Sequence, residues 1–188
     1  MSGGIGAWLT ATGRFTIAGT AADLTQARRL MESLNPLPQI VILDISLEKE
    51  NGLEFIPELK KISGNRKERA PGIIVCSMHE DILLVWQAMD LGARAYIAKS
   101  SGPGEILTAI DAVLAGNTYI NPKYKIQEHQ HAFDSFTPRE KEIILLRKQL
   151  TNRQIAERIN ISVRTVESHW AHIYAKTGVT SWEELIKL

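Results

Sequence analysis

The sequence predicts two folds in series, an α/β unit with a parallel sheet over residues 1–118 and an all-α unit of four helices over residues 136–188. Three observations carry this reading. Four short β-branched runs alternate with amphipathic helical stretches in the first half. Those runs are apolar throughout rather than at every second residue, the pattern of strands covered on both faces. Residues 137 to 185 then hold three helix starts in succession, two of them spaced as a helix-turn-helix.

In chain order, the expected strands are Phe15 to Gly19, Ile40 to Asp44, Gly72 to Ser77 and Ala95 to Lys99. Helices are expected at roughly 22 to 34, 52 to 62, 80 to 91 and 103 to 115, where apolar residues recur at helical spacing. Upstream of these, Ile5, Trp8 and Leu9 read as the tail of a helix. In parallel sheets the polar residues just past the carboxyl ends of the strands gather in one crevice. Here those ends supply Asp44, Ser77 and Lys99. A carboxylate, a hydroxyl and an ammonium so placed can hold a phosphoryl group on Asp44, with Ser77 donating a hydrogen bond and Lys99 neutralising charge. Taken singly, each is also an ordinary polar end to a strand. Residues 119–135 have no apolar period and read as a polar linker; His129 and His131 within it lack the accompanying ligands of a metal site.

The C-terminal helices announce themselves by their caps. Thr137-Pro138-Arg139-Glu140 and Thr151-Asn152-Arg153-Gln154 are both capping boxes, Ser162 caps the third helix and Gly178 ends it. The second helix is expected to bury Ile155, Ala156 and Ile159. At 100° per residue Val163, Val166, Trp170, Ile173 and Thr177 fall on one side of the third helix, and Arg164, Thr165, Ser168, Ala171, His172 and Ala175 on the other. The outer face is small except at Arg164 and His172, so it can lie close to the floor of a major groove with Arg164 on a guanine edge or phosphate and Ser168 on a base edge. An ordinary three-helix bundle presenting this face to solvent has the same spacing. His169 and His172 are one helical turn apart, with no further ligand near them in sequence.

Composition sets the frame. The net charge is +1, but residues 135 to 188 carry nine Lys/Arg against six Asp/Glu, net +3, and the remainder is net −2. The basic half is the half with the helix-turn-helix. No apolar run is long enough to cross a bilayer, and the first residues lack a secretory signal, so a cytoplasmic location without a membrane partner is expected. Cys76, the only cysteine, sits in an apolar strand and is expected to be a buried small hydrophobe. A Gly-rich phosphate loop and a Ser/His/Asp set in plausible order are both missing, so an enzyme is not expected.

Thr137-Pro138-Arg139-Glu140, Asn152 to Ala156, Ile161 to His169 and Lys176 to Val179 resemble the LuxR/FixJ/NarL-type DNA-binding domain. That resemblance implies double-stranded DNA as the partner, with contacts at Arg164, Thr165, Glu167, Ser168, His169, Ala171 and His172, and with Arg153 and Lys176 on phosphates. The departures are Trp170, where members often have Arg, Thr177, where they usually have Leu, and a short last helix from Ser181 to Leu188. The first half resembles a response-regulator receiver domain, a flavodoxin-like fold. By that resemblance Asp44 is the phosphoacceptor, with Gly52 at the family's spacing beyond it, and Ser77, Tyr96 and Lys99 are the switch residues. A sensor histidine kinase and a homodimer are then the implied partners, and Mg²⁺ the implied cofactor.

The receiver resemblance fails at the start of the chain. The family's first strand, central in its sheet, and the acid pair at its end are absent. A start placed too late, a trimmed chain or a naturally degenerate receiver would each give this sequence. Only Asp44 and the Ser46 carbonyl remain to face Mg²⁺, which needs near-octahedral oxygen ligation, so phosphorylation at Asp44 lacks most of its electrostatic support. The resulting expectation is a transcriptional response regulator of a two-component system. The alternative is a phosphorylation-independent protein-interaction module with weak or lost DNA binding.

Overall fold

The computed structural model describes residues 2–45, 51–78, 82–121 and 135–186. Its contacts divide the chain into two units, one made of most of residues 1–121 and the other containing residues 122–188. No described helix is long and apolar enough to cross a membrane.

The first unit runs α1 (Ser2–Ala11), α2 (Leu24–Ser33), β1 (Ile40–Asp44), a 3-10 turn (Gly52–Glu54) continuing into α3 (Phe55–Arg66), β2 (Gly72–Ser77), α4 (Ile82–Leu91), β3 (Ala95–Ala98), α5 (Pro103–Leu114) and β4 (Tyr119–Ile120). The four strands are all parallel, in the order β1-β2-β3-β4. Ile40 pairs with Gly72 and Asp44 with Cys76 across the first ladder; Ile74 pairs with Ala95 and Ser77 with Ala98 across the second. Side chains alternate across the pleat. Ile74, Cys76, Ala95 and Ile97 therefore share one face, where they pack with Leu9 of α1 and with Ile106, Ala109, Ile110 and Val113 of α5. Ile73, Val75 and Tyr96 point to the opposite face and are buried there.

Two expectations are corrected. Phe15 to Gly19 has the composition of a strand but forms none. A strand exists only if a neighbour accepts its N–H and C=O groups, and in a receiver that neighbour is the central strand which no described residue of this chain supplies. Phe15 instead packs at the margin of the core shared by α1 and α5, and β1 becomes an outer strand of the sheet. The second correction lies at the expected linker. Tyr119 and Ile120 extend the sheet, pairing with Ala95 and Tyr96, so the fold continues two residues past 118. His129 and His131 lie outside the described residues, as does the rest of the linker from 122 to 134.

Local chemistry explains the remaining boundaries. Asp23 caps α2 by accepting from the Gln26 N–H, and the Arg28 guanidinium grips Glu58 at 2.7 and 2.9 Å, joining α2 to α3. That bond, aided by charge and opposed by burial, holds the Glu58 carboxyl below its ordinary range. The expected helix at 52–62 opens as a 3-10 turn because the Asn51 side chain accepts from the Leu53 N–H, and it runs on to Arg66, where Lys67 takes a left-handed conformation.

The second unit is α6 (Pro138–Arg147), α7 (Asn152–Arg158), α8 (Val163–Thr177) and α9 (Trp182–Leu185). Both capping boxes form, at Thr137 with Glu140 and at Thr151 with Gln154. The Ser162 hydroxyl accepts from the Thr165 N–H, and Gly178 closes α8 at φ 73°. Asn160 turns the chain between α7 and α8 at φ 55°, a left-handed conformation that asparagine tolerates better than most residues.

Gly52 is a required glycine. A Cβ there would meet the Asp44 carbonyl oxygen at 2.1 Å and the Ile45 Cα at 2.9 Å, backbone atoms of the strand that carries the crevice carboxylate. Gly52→Ala is therefore expected to lower stability by about 1 to 3 kcal/mol, the usual cost of overpacking, as read from urea unfolding followed by circular dichroism.

Candidate functional site

The strand-end crevice is assembled by the sheet register. Asp44 ends β1 beside Cys76, Ser77 is the next residue of β2, and the Lys99 N–H donates to the Ser77 carbonyl at 2.7 Å, so the three expected residues come to one edge. The Lys99 ammonium hydrogen-bonds the Asp44 carboxylate directly. Lys99 is mostly covered, with 17% of its side chain exposed, and Asp44 retains 35%, so the pair is partly desolvated and the carboxylate is still open to solvent. Ser77 and Tyr96 are wholly buried behind it. Cys76 lies under the pair as a buried free thiol. Burial pushes its pKa up, Lys99 opposes this, and Asp44 adds to it. Ser46, the other expected oxygen donor, lies outside the described residues.

The second site is the outward face of α8. Arg164, Thr165, Glu167, Ser168, Ala171, His172 and Ala175 are exposed, and His169 is half-buried. The inward face holds the helix in place. Val166, Trp170, Ile173 and Thr177 are buried as expected; Val163 is instead 38% exposed, because as the first residue of the helix it precedes the packed turn. Ile159, which caps the end of α7, is half-buried rather than buried. Trp170 explains how α7 and α8 keep their angle. Its indole N–H donates to the Asn152 side-chain carbonyl at 3.1 Å, its ring stacks on Tyr174 at 5.6 Å and meets Trp182 edge-on at 5.8 Å. Arg139 of α6 donates to the Ile159 carbonyl at 2.6 Å, tying the first helix to the turn.

One group was missed by sequence reasoning except as a cap. Glu140 is 2% exposed, and its Oε2 accepts from the Thr137 backbone N–H at 2.7 Å and from the Lys176 ammonium at 2.6 Å. Burial would raise its pKa, but hydrogen bonds from Lys176 and Thr137 win and hold the carboxyl below its ordinary range. Lys176 also donates to the Ser135 carbonyl at 2.9 Å. The Lys176 ammonium thus makes an ion pair across 36 residues of sequence that no local pattern spans, while the residue itself is exposed at the end of α8. Arg153 remains outward, 84% exposed, with Glu157 at 3.3 Å.

Comparison with known proteins matches this geometry at both ends of the chain. Residues 2–111 match the model of the response regulator receiver domain, and residues 134–188 that of bacterial regulatory proteins of the luxR family. The chain belongs to the response regulators. The transcriptional regulatory protein UhpA of Escherichia coli K12 is 31% identical over 83% of this chain and 78% of that protein. The transcriptional regulatory protein YdfI of Bacillus subtilis 168 is 29% identical over 93% of this chain and 83% of that protein. Among solved structures, RcsB of Salmonella enterica serovar Typhimurium, bound to promoter rprA, superposes with a TM-score of 0.59 at 22% identity, covering 97% of this chain and 89% of that one. This response regulator therefore joins a two-component receiver domain to a luxR-type helix-turn-helix domain, and it is a transcriptional regulator.

Lys176→Ala would leave the Glu140 carboxylate buried without its counter-charge. The C-terminal unit is expected to lose about 3 kcal/mol of stability, measured by urea unfolding monitored at the fluorescence of Trp170 and Trp182.

Proposed function

We propose that this response regulator binds double-stranded DNA through the exposed face of α8, under control of its receiver half. The observation that carries this is the composition of that face: small side chains at Thr165, Ser168 and Ala171, with one long cation, Arg164, at the helix start. Such a surface admits the helix into a major groove, where an arginine can reach a guanine edge. Glu167, His169 and His172 complete the proposed contact set on α8, and Arg153, outward at the start of α7, suits a phosphate. Lys176, exposed at the far end of α8, is the second proposed phosphate contact, and its ammonium also pairs with Glu140. A homodimer follows from the two half-sites that helix-turn-helix proteins usually read. A regulator of this kind works in the cytoplasm and is not an enzyme acting on external substrates.

In the receiver half, Asp44 takes the phosphoacceptor position, Ser77 and Tyr96 the switch positions, and Lys99 pairs with the Asp44 carboxylate, but phosphoryl transfer from a histidine kinase to Asp44 lacks a metal site to support it among the described residues of this chain. Mg²⁺ does not suit the donors found there. No group of three His, Cys, Asp or Glu side chains includes Asp44 among the described residues, and the Asp44 carboxylate already accepts from Lys99. A hard cation that wants six oxygens gains little from it. A second reading, a phosphorylation-independent interaction module, is favoured by β1, whose outer edge has no partner strand among the described residues and so offers a ladder to another chain.

Two measurements separate these readings. Arg164→Ala is expected to cost about 1 to 3 kcal/mol on a selected DNA site and to relax discrimination there, while Arg153→Ala weakens all sequences alike and lowers the salt slope by about one. Anisotropy titrations on a selected and a scrambled site, at several salt concentrations, read both. A parent protein that prefers no site supports the interaction module instead. Incubation of the chain with a small phosphodonor and Mg²⁺ is expected to yield no measurable acyl-phosphate; a phosphoprotein band that vanishes in Asp44→Asn would reverse the reading of the receiver.

A further inference from the structure

We propose that Glu140, His169 and His172 form a binding site for a divalent cation of the zinc class, bridging the first and third helices of the DNA-binding unit. One carboxylate oxygen and one ring nitrogen from each histidine lie within 4.8 Å of one another. The sequence placed the two histidines a turn apart on α8 and saw no third ligand; the capping box at the start of α6 brings the third from 29 residues upstream of His169.

The donor chemistry points to the class of ion. Two imidazoles and one carboxylate suit zinc and its late transition-metal neighbours, while an all-oxygen set would suit Mg²⁺ or Ca²⁺. Zinc bonds of roughly 2.0 to 2.2 Å put tetrahedral donors about 3.4 Å apart, so closure asks for movements on the order of 1 Å. His172 is exposed and His169 half-buried, which leaves both rings able to turn. Glu140 cannot move far, because its own cap holds it, and it is the fixed corner of the site.

The carboxylate gives a second, independent observation. Glu140 is 2% exposed, yet the Thr137 N–H and the Lys176 ammonium both fall on Oε2. The Thr137 side chain adds a further hydrogen bond to the same carboxylate, so an almost fully buried, charged oxygen donor is already fixed beside the two imidazoles. The cation and the lysine can then share one carboxylate through its two oxygens. Their mutual repulsion weakens the site relative to a closed structural zinc centre, and three protein donors leave one position for water. An affinity on the order of micromolar is expected.

This inference concerns the unit without DNA; His169 and His172 also belong to the proposed DNA contact set, so ion and DNA would draw on the same two side chains. The test is isothermal titration of the full chain with Zn²⁺, with Mg²⁺ as the contrasting ion. Of five histidines, the variant His79→Ala/His129→Ala/His131→Ala keeps only the two of the site, and it should bind Zn²⁺ as the parent does. His172→Ala, at an exposed position, and His169→Asn should each weaken binding tenfold or more. Zn²⁺ should raise the thermal midpoint of the parent and leave that of His172→Ala unmoved. The proposal is overturned by a parent that binds no Zn²⁺ at tens of micromolar, by parent-like affinity in a folded His172→Ala, or by loss of binding in the triple variant.

Discussion

A strand persists only where at least one neighbour pairs with its backbone N–H and C=O groups, and the first unit is organised around that demand. The ladder from β1 through β3 meets it for the residues that matter to the crevice: the same hydrogen bonds that pair Asp44 with Cys76 and Ser77 with Ala98 bring a carboxylate, a hydroxyl and an ammonium to one edge. Where no neighbour stands, the chain does something else. The apolar run from Phe15 to Gly19 gives up strand geometry and contributes only Phe15 to the margin of the core. α1 and α5 lie over the remaining sheet, and Arg14 bonds Asp111 at 2.5 Å across the two segments. That surface pair is half exposed and contributes little; burial of Leu9 against the sheet is the larger effect.

In the second unit the corresponding centre is a single carboxylate. Glu140 begins as a helix cap, a local device, and becomes through Lys176 a long-range one. Trp170 complements it on the other side, since its N–H bond to Asn152 and its contacts with Tyr174 and Trp182 hold three helices with one side chain. The outward face of α8 can be nearly bare because these inward contacts fix the helix.

The legible parts of this chain were those written in local chemistry. Capping boxes, the glycine stop at 178 and the helical period of α8 specify their own structure, and the helices, caps and burial built on them matched expectation except at Val163 and Ile159. Strand ends were legible too, since continuous apolar runs stop at polar residues. What escaped was pairing. Phe15 to Gly19 reads as a strand in isolation, and Tyr119 and Ile120 read as linker, because a two-residue strand leaves no period and only the position of β3 makes it one. The Glu140 cluster escaped for the same reason: Glu140, His169, His172 and Lys176 are brought together by helix packing that no spacing encodes.

Cys76 has a practical meaning beyond its packing. Its thiol is the only one in the chain, it lies inside β2 next to the crevice residue Asp44, and burial holds it in the unreactive protonated form. A thiol reagent can therefore reach it only when the helices packed on that face, α1 and α5, lift from the sheet. The rate of labelling is a clock for that opening, readable in a mass spectrometer. Any ligand or mutation that tightens the packing of α1 and α5 on the sheet slows the clock, and the protein thus carries an intrinsic reporter for the cohesion of its first unit.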